Sequence, residues 1–194
     1  LPATIASVII FGLQAFILVV VCTASAVLAE WGFQALCKQK ITISDLSAAV
    51  TGLLLALNLP ASVTWWQAII GSVIAVVVVK GLFGGIGKNF ANPAITARII
   101  LLLAFSASVG AAVQPVIVDA TSTATPLTIL KLDYGILPSL FEMMIGLRGG
   151  AIGETCSLAL ILGGVYLMIR KVITWHTPVI FVGCVFLFTL ILNG

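Results

Sequence analysis

The sequence predicts an all-α membrane protein, a polytopic bundle of transmembrane helices in which some helices are short or broken. The first observation is composition: 61% of the 194 residues are hydrophobic, 8% are charged, and the mean hydropathy is +1.28. A soluble domain carries about 25% charged residues. The second observation is that residues 1–29, 46–79, 99–118 and 172–194 contain no charged side chain. About 20 apolar residues are enough for a helix that crosses a bilayer.

Seven apolar segments are predicted as helices. They cover residues 2–11, 13–36, 46–59, 65–83, 94–113, 154–169 and 178–192. We expect them to form a single membrane domain over residues 1–194. We also expect this domain to be a fragment of a longer chain, because the sequence starts without Met and stops inside an apolar run.

The third segment, residues 46–59, is too short for an ordinary span. It rises about 21 Å as a helix, whereas the hydrocarbon core is about 30 Å thick. Pro60 prevents the helix from continuing. Helices broken inside a membrane often line a ligand or ion site. A short helix that ends in a thinned or tilted interface is an equally good interpretation of the pattern.

The basic residues orient the predicted spans. If the Arg170-Lys171 turn is cytoplasmic and the spans alternate, seven of the nine basic residues share that side, as the positive-inside rule expects. These seven are Lys38, Lys40, Lys80, Lys88, Arg98, Arg170 and Lys171. Residues 119–128 then face the outside. Residues 134–150 are too short and polar to span, and we predict an amphipathic half-helix in the outer interface beside that loop.

Residues 119–128 are a polar island, with the sequence Asp-Ala-Thr-Ser-Thr-Ala-Thr-Pro-Leu-Thr and five hydroxyl side chains in ten positions. From loop composition alone we favour a capping loop, in which Ser122 or Thr125 bonds backbone amides. Pro126 disfavours a helical conformation at Thr125 and therefore presents its hydroxyl. Because the neighbouring segments are apolar, we expect a stretch with so many hydroxyl groups to have a chemical function.

Residues 80–94 predict a tight turn between the fourth and fifth helices, because they contain four glycines. A phosphate-binding P-loop is excluded, since Leu82 holds the first glycine position and Asn89 follows the lysine. A dinucleotide-binding pattern is excluded because Phe90 stands where the third glycine belongs. Asn92 is predicted to cap the helix that starts at the following proline.

These two stretches resemble a family of membrane flavoproteins that comprises the D-type subunits of Rnf complexes and the B-type subunits of Nqr complexes. Residues 119–125 match the family pattern Asp-x-x-Ser/Thr-x-Ala-Thr, and residues 84–94 match Gly-Gly-x-Gly-x-Asn-x-x-Asn-Pro-Ala. Shorter matches at 51–60 and 153–157 extend the resemblance over most of residues 45–178. Thr123 departs from the pattern, because glycine is usual there. Threonine does not readily adopt positive φ, so this loop requires an ordinary backbone at that position.

The resemblance implies a covalent flavin. Flavin mononucleotide (FMN) would be esterified through its phosphate to Thr125, with Asp119, Ser122 and Thr123 in the same cofactor-binding motif. Asn92 is a further cofactor-binding candidate near the inner face, where a flavin or quinone is expected. A second, non-covalent flavin is left open. The enzyme that attaches flavin in this family acts outside the cytoplasm, which agrees with the outer position that the charges alone assign to the loop.

The resemblance also implies an ion-translocating oxidoreductase. We expect an electron-carrying D-type subunit of an Rnf-type ferredoxin:NAD⁺ oxidoreductase, coupled to sodium or proton export, in the cytoplasmic (inner) membrane of a bacterium or archaeon. Expected partners are other membrane subunits, an outer-face flavoprotein subunit and membrane lipid; no nucleic acid is expected, since the topology accounts for the net charge of +3. The alternatives are the B-type subunit of the sodium-translocating NADH:quinone reductase (Nqr), or a channel or secondary transporter without flavin.

The remaining polar residues give weaker signals. Glu30 lies within the second apolar run and is a candidate for ion handling, although it could also reach the interface. Asp45 and Glu154 are predicted as acids at helix N-termini, and His176 beside a tryptophan as an interface anchor. Neither a metal site nor a disulfide framework is predicted from the dispersed thiols Cys22, Cys37, Cys156 and Cys184.

Overall fold

Helices joined by turns make up the computed structural model, which describes residues 2–38, 40–85, 87–110, 139–146, 149–154 and 156–193. The helices are α1 (Pro2–Phe11), α2 (Leu13–Leu36), α3 (Ser47–Asn58), α4 (Trp65–Val73), α5 (Pro93–Ala104), α6 (Ser106–Val109), α7 (Leu140–Ile145), α8 (Ser157–Ile169) and α9 (His176–Asn193). A 3₁₀ turn, Ile43–Asp45, precedes α3, and a π-helical stretch, Ile74–Gly81, prolongs α4. The predicted all-α fold class is confirmed.

Helix α2 is the longest of the described helices. Its 24 residues rise about 36 Å. Among the described residues it is the one helix that is both long and apolar enough to cross a bilayer by itself. The other apolar helices are shorter, as the prediction of short or broken helices requires. The first four predicted segments and the last one agree with the observed helices to within two residues.

The fifth predicted segment, 94–113, differs from the structure. The helix ends at Ala104, and Phe105 has φ −131° and ψ 51°, outside the helical region. The break lets the Phe105 ring pack edge-on against Trp66, with ring centroids 5.1 Å apart. The short helix α6 follows, and the end of the predicted segment lies outside the described residues.

The stretch before α8 also differs from the prediction. Helix α8 starts at Ser157, so Glu154 lies in the preceding turn and not at the helix start. The described part of the predicted half-helix 134–150 contains the short helix α7. Ser139 and Glu142 begin it with reciprocal hydrogen bonds to each other's backbone amides, and Gly146 ends it at φ 102°.

Helix α2 forms the centre of the bundle, in contact with α1, α3, α4 and the π-helical stretch. Its buried residues are mostly small and follow helical spacing, as in Ala15, Cys22 and Ala26. A Cβ at Gly52 of α3 would lie 2.5 Å from the Cys22 carbonyl oxygen and 2.8 Å from the Ala26 Cβ. The backbones of α2 and α3 therefore approach closely, as small residues allow in membrane helix pairs.

The outer surface of the described residues is strongly apolar. Large hydrophobic side chains are exposed on α2, α8 and α9, and every side chain described in α9 is exposed, including Phe181 at 71% and Leu192 at 81%. Soluble monomers rarely expose continuous apolar faces of this kind. The surface is that of an all-α membrane protein whose outer helices face lipid or other membrane proteins.

Candidate functional site

The predicted flavin loop lies outside the described residues. Asp119, Ser122, Thr123 and Thr125 therefore stay predictions as site residues. The structure describes α6 before the loop and, after it, α7 followed by residues 149–154. Of these, α6 and residues 149–154 are attached to the same part of the bundle, residues 57–67, which we call the loop mount.

The residues after the loop close the broken end of α3. The amide of Gly153 donates to the Leu57 carbonyl at 2.8 Å, and the amide of Ile152 donates to the Leu59 carbonyl at 2.9 Å. Leu59 and Ile152 are buried. Carbonyls left free by a helix that stops at a proline must be satisfied by protein or water. Here backbone amides of the protein satisfy them, so α3 ends inside the bundle.

The residues before the loop attach to the start of α4. Ser62 Oγ donates to the Ser108 carbonyl at 2.6 Å, and Gln67 Nε2 donates to Ser108 Oγ at 3.2 Å. Gln67 is buried, and its Oε1 accepts from the Thr64 amide at 3.0 Å. Gln14 of α2 reaches the same place, where its Nε2 donates to the Val63 carbonyl at 3.3 Å. Neutral hydrogen bonds thus hold the loop mount together.

The glycine-rich turn at the other end of α4 has the predicted form. Gly84, Gly85 and Gly87 have φ between 80° and 95°, a region that favours glycine. Asn92 Oδ1 accepts from the amides of Ala94 and Ile95, so its predicted role as the N-cap of α5 is confirmed. Contact of Asn92 with a cofactor stays a prediction.

A buried ion pair lies beside this turn. Lys80 Nζ is 2.5 Å from Glu30 Oε1, and both residues are only 4% exposed. Lys80 Nζ also donates to Ser47 Oγ at 2.5 Å. The charge pattern of the sequence places Lys80 among the inner-face charges and allows Glu30 to reach the interface. In the structure both side chains are enclosed between α2, α3 and the π-helical stretch, so Glu30 does not reach the surface.

Ser47 links this pair to an exposed carboxylate. Its hydroxyl donates to Asp45 Oδ1 at 2.6 Å, and its amide donates to the same oxygen at 2.8 Å. These two bonds, the hydroxyl's first, hold the pKa of Asp45 below its ordinary value of 3.8, and the positive charge of Lys80 adds to the effect. Asp45 therefore binds the first amide of α3, which agrees with its prediction as an acid at a helix N-terminus.

A cavity of about 360 Å³ opens onto the ion pair. Gln34 and Thr42 close one wall, with the Gln34 Nε2 donating to Thr42 Oγ1 at 2.8 Å and the Thr42 amide donating to Gln34 Oε1 at 2.9 Å. The exposed residues Lys40 and Asp45 also line it. Glu30 Oε2 has no hydrogen-bond partner within the part of the chain that the structure describes.

Sequence reasoning named Glu30 but not its partner. The sequence does contain a signal for the pair: Glu30 directly follows the charge-free residues 1–29, and Lys80 directly follows the charge-free residues 46–79. Charges inside a membrane domain usually pair with one another, so the two could have been matched. The four cysteines are free thiols, and only Cys22 is fully buried. His176 stacks on the exposed Trp175 at 4.0 Å between ring centroids.

Comparison with known proteins gives one family and several close relatives. The model of the NQR2, RnfD, RnfE family matches residues 1–194. The chain is 42% identical over its whole length to the D subunit of the Na⁺-translocating ferredoxin:NAD⁺ oxidoreductase complex of Acetobacterium woodii. It is 36% identical over its whole length to the D subunit of the proton-translocating ferredoxin:NAD⁺ oxidoreductase complex of Clostridium ljungdahlii.

A third relative is more distant. The chain is 31% identical, over 93% of its residues, to the D subunit of the ion-translocating oxidoreductase complex of Escherichia coli. In all three comparisons the matched part makes up 62% of the relative. The chain therefore spans less than two thirds of the length of these proteins.

Proposed function

The chain belongs to the NQR2, RnfD, RnfE family, and on that premise we propose that it is the D-type subunit of an ion-translocating ferredoxin:NAD⁺ oxidoreductase. The observation that supports this most is the 42% identity, over the whole chain, to the D subunit of such a complex. The relatives described above are all D subunits. This favours the Rnf-type assignment over the B-type subunit of an NADH:quinone reductase. Its partners are then the other subunits of that complex.

The proposed location is a cytoplasmic membrane, with several spans and the flavin loop outside. Helix α4 and its π-helical extension run from Trp65 to Gly81, about 25 Å. The loop mount lies at the start of this element, and the glycine-rich turn with Lys88 lies beyond its end. Lys38 and Lys40 follow α2, whose opposite end contacts the loop mount through Gln14. Lys38, Lys40 and Lys88 therefore lie at the opposite end of the bundle from the loop mount, which supports an outer position for the loop under the positive-inside rule.

The proposed chemistry is electron transfer through FMN joined by its phosphate to Thr125. A bound flavin supplies the redox chemistry, and the protein supplies its position and surroundings. A phosphoester needs an accessible hydroxyl, which Thr125 offers between Ala124 and Pro126. The loop mount supports the proposal, because hydrogen bonds attach to it Ser108, before the loop, and residues 152–153, which follow the loop and α7.

Asn92 does not fit the same flavin. It lies at the glycine-rich turn, across the domain from the loop mount, and its carboxamide oxygen is engaged by the first turn of α5. A cofactor that touched Asn92 would be a second one near the inner face.

Attachment is tested by Thr125→Ala in the full-length protein within its complex. The variant should lose the ultraviolet fluorescence of the denatured band and the mass of one FMN, because the ester oxygen is gone. Thr128→Ala is the matched control, since it removes a hydroxyl from the same loop and should change neither quantity. Fluorescence that persists without Thr125 would show that the attachment site is wrong. A colourless wild-type protein that moves a solute in liposomes would instead support the channel alternative.

A further inference from the structure

The π-helical stretch that prolongs α4 has no local cause in the sequence. Residues 74–80 read Ile-Ala-Val-Val-Val-Val-Lys and contain no proline, glycine or serine, the residues that commonly distort a helix. The wide winding is nevertheless formed. The Leu82 amide donates to the Val77 carbonyl, and the Gly85 amide to the Lys80 carbonyl, each five residues back and at 3.0 Å. Because π-helical winding is rare and occurs mostly at functional sites, a contact from outside the stretch must favour it.

The buried residues of α4 and of this stretch show what the winding achieves. They repeat every four positions, as the pairs Gln67 and Ala68, Gly71 and Ser72, Ala75 and Val76, and Val79 and Lys80. Four residues of an α-helix turn about 400°, so each repeat would rotate the buried face by about 40°. From Gln67 to Val79 the rotation would reach about 120°. Turns of a π-helix hold more residues and reverse this drift, so Lys80 stays on the same face as Gln67.

The contacts of Lys80 depend on that face. Its ammonium donates to Glu30 Oε1 and to Ser47 Oγ, each at 2.5 Å, and both charged residues are buried. Removal of one partner from a buried ion pair is strongly destabilising. An α-helix that continued to the end of the stretch would turn Lys80 away from α2 and α3 and break both contacts. The ion pair therefore supplies the cause that the local sequence lacks.

We propose that the stretch Ile74–Gly81 is a two-state conformational element, in which the Glu30–Lys80 pair holds the π winding and release of Lys80 lets the stretch rewind as an α-helix. Helix α4 fixes the orientation up to Val73. Rewinding would consequently turn Val76 and Lys80 out of the bundle and bring Val78 into it. This inference goes beyond the proposed function and does not rest on it.

Rewinding would reshape the cavity and move the glycine-rich turn together. Val76, Lys80 and Gly81 line one wall of the cavity, and Gly84 and Gly85 of the turn continue it. Both of these glycines have positive φ, so the backbone of the turn can follow a rotation of the helix end. Coupling between two sites requires an element with discrete arrangements that both sites bias. The stretch would couple the ion pair to the inner-face turn in this way.

The test reads which side chains of the stretch are accessible. Val76 is 2% exposed and Val78 is 43% exposed, and α-helical winding would exchange their positions. Each is replaced by cysteine in the full complex, which is purified and treated with N-ethylmaleimide, and peptide mass spectrometry follows the label at each position. With the ion pair intact, the Val78→Cys thiol should be labelled faster than the Val76→Cys thiol. In the Glu30→Gln/Lys80→Met background the order should reverse.

Two further backgrounds keep the test decisive. Glu30→Leu/Lys80→Met replaces the pair with apolar side chains, a change that is often neutral for stability, and it should give the same reversal if the first double variant does not assemble. Gly153→Ala is the control for general loosening, because it disturbs the loop mount and leaves the ion pair intact. It should keep the order seen with the intact pair.

Two outcomes would overturn the proposal. In the first, the Val76→Cys thiol stays protected in both double variants, which would show that the π winding does not depend on the ion pair. In the second, the Val76→Cys thiol becomes accessible while labelling of the Val78→Cys thiol is unchanged, which would show loosening without rewinding. Neither outcome bears on the proposed function, because thiol labelling needs no electron transfer.

Discussion

At one end of α4, the loop mount holds buried polar groups with neutral hydrogen bonds; at the other end, the pair of Glu30 and Lys80 stands beside a cavity. The carbonyls of Leu57 and Leu59 are both satisfied by backbone amides from residues 152–153. Glu30 keeps one oxygen without a partner among the described residues. A fully satisfied network makes a rigid support, whereas a buried charge with an open neighbour can change partners.

The rigid end suits the flavin attachment that we propose. A flavin must keep a constant position, because electron transfer depends on it, and the loop mount gives a fixed attachment to Ser108 before the loop and to residues 152–153 after it. Glu30 lies beside a cavity and is joined through Lys80 and Ser47 to the exposed carboxylate of Asp45.

The largest effect is expected at the ion pair. Lys80→Met leaves Glu30 as an uncompensated buried charge and should lower the free energy of unfolding by about 3–5 kcal/mol. The double variant Glu30→Gln/Lys80→Met should recover most of this loss, because no buried charge remains. Thermal unfolding of the solubilised complex measures both. A double variant as unstable as Lys80→Met would contradict the importance of the unpaired charge.

A smaller effect is expected at the loop mount. A Cβ at Gly153 would lie 2.6 Å from the Leu57 Cβ and 2.8 Å from the Leu57 carbonyl oxygen, so Gly153→Ala must separate the two segments. We expect a loss of about 1–3 kcal/mol, as is typical of overpacking. Gly163→Ala in α8 is the control, because its Cβ would meet nothing within 4 Å. Equal melting temperatures for the two variants would show that this contact is not rigid.

The smallest effect is the pH dependence of Asp45. Its pKa is lowered in the folded protein, so its contribution to stability is present above the ordinary value of 3.8 and is lost as the pH falls through the folded value. Asp45→Asn should therefore be slightly less stable than the wild type near neutral pH. The two melting temperatures should converge as the pH falls below about 4. A difference that persists in acid would mean that the carboxylate charge is not its source.

The turns and caps were predictable because their causes are local. Pro60 ends α3, glycines at positive φ make the turn after Gly81, and Asn92 caps α5. The break at Phe105 was missed. Ser106, Ser108 and Gly110 disfavour a helix only weakly, and the ring packs against Trp66, which is distant in sequence. The start of α8 was misplaced for the same reason, since the turn at residues 152–154 is held by the end of α3.

The sequence by itself determined the membrane class, the positions of most helices and the family, because composition, apolar run length and short motifs are properties of neighbouring residues. Only the tertiary structure decided that Glu30 meets Lys80 and that residues 152–153 close the end of α3. Both contacts join segments far apart in the chain. Helix propensity and hydropathy carry no information on which of several apolar helices pack together, so these partners emerge only when the helices are assembled.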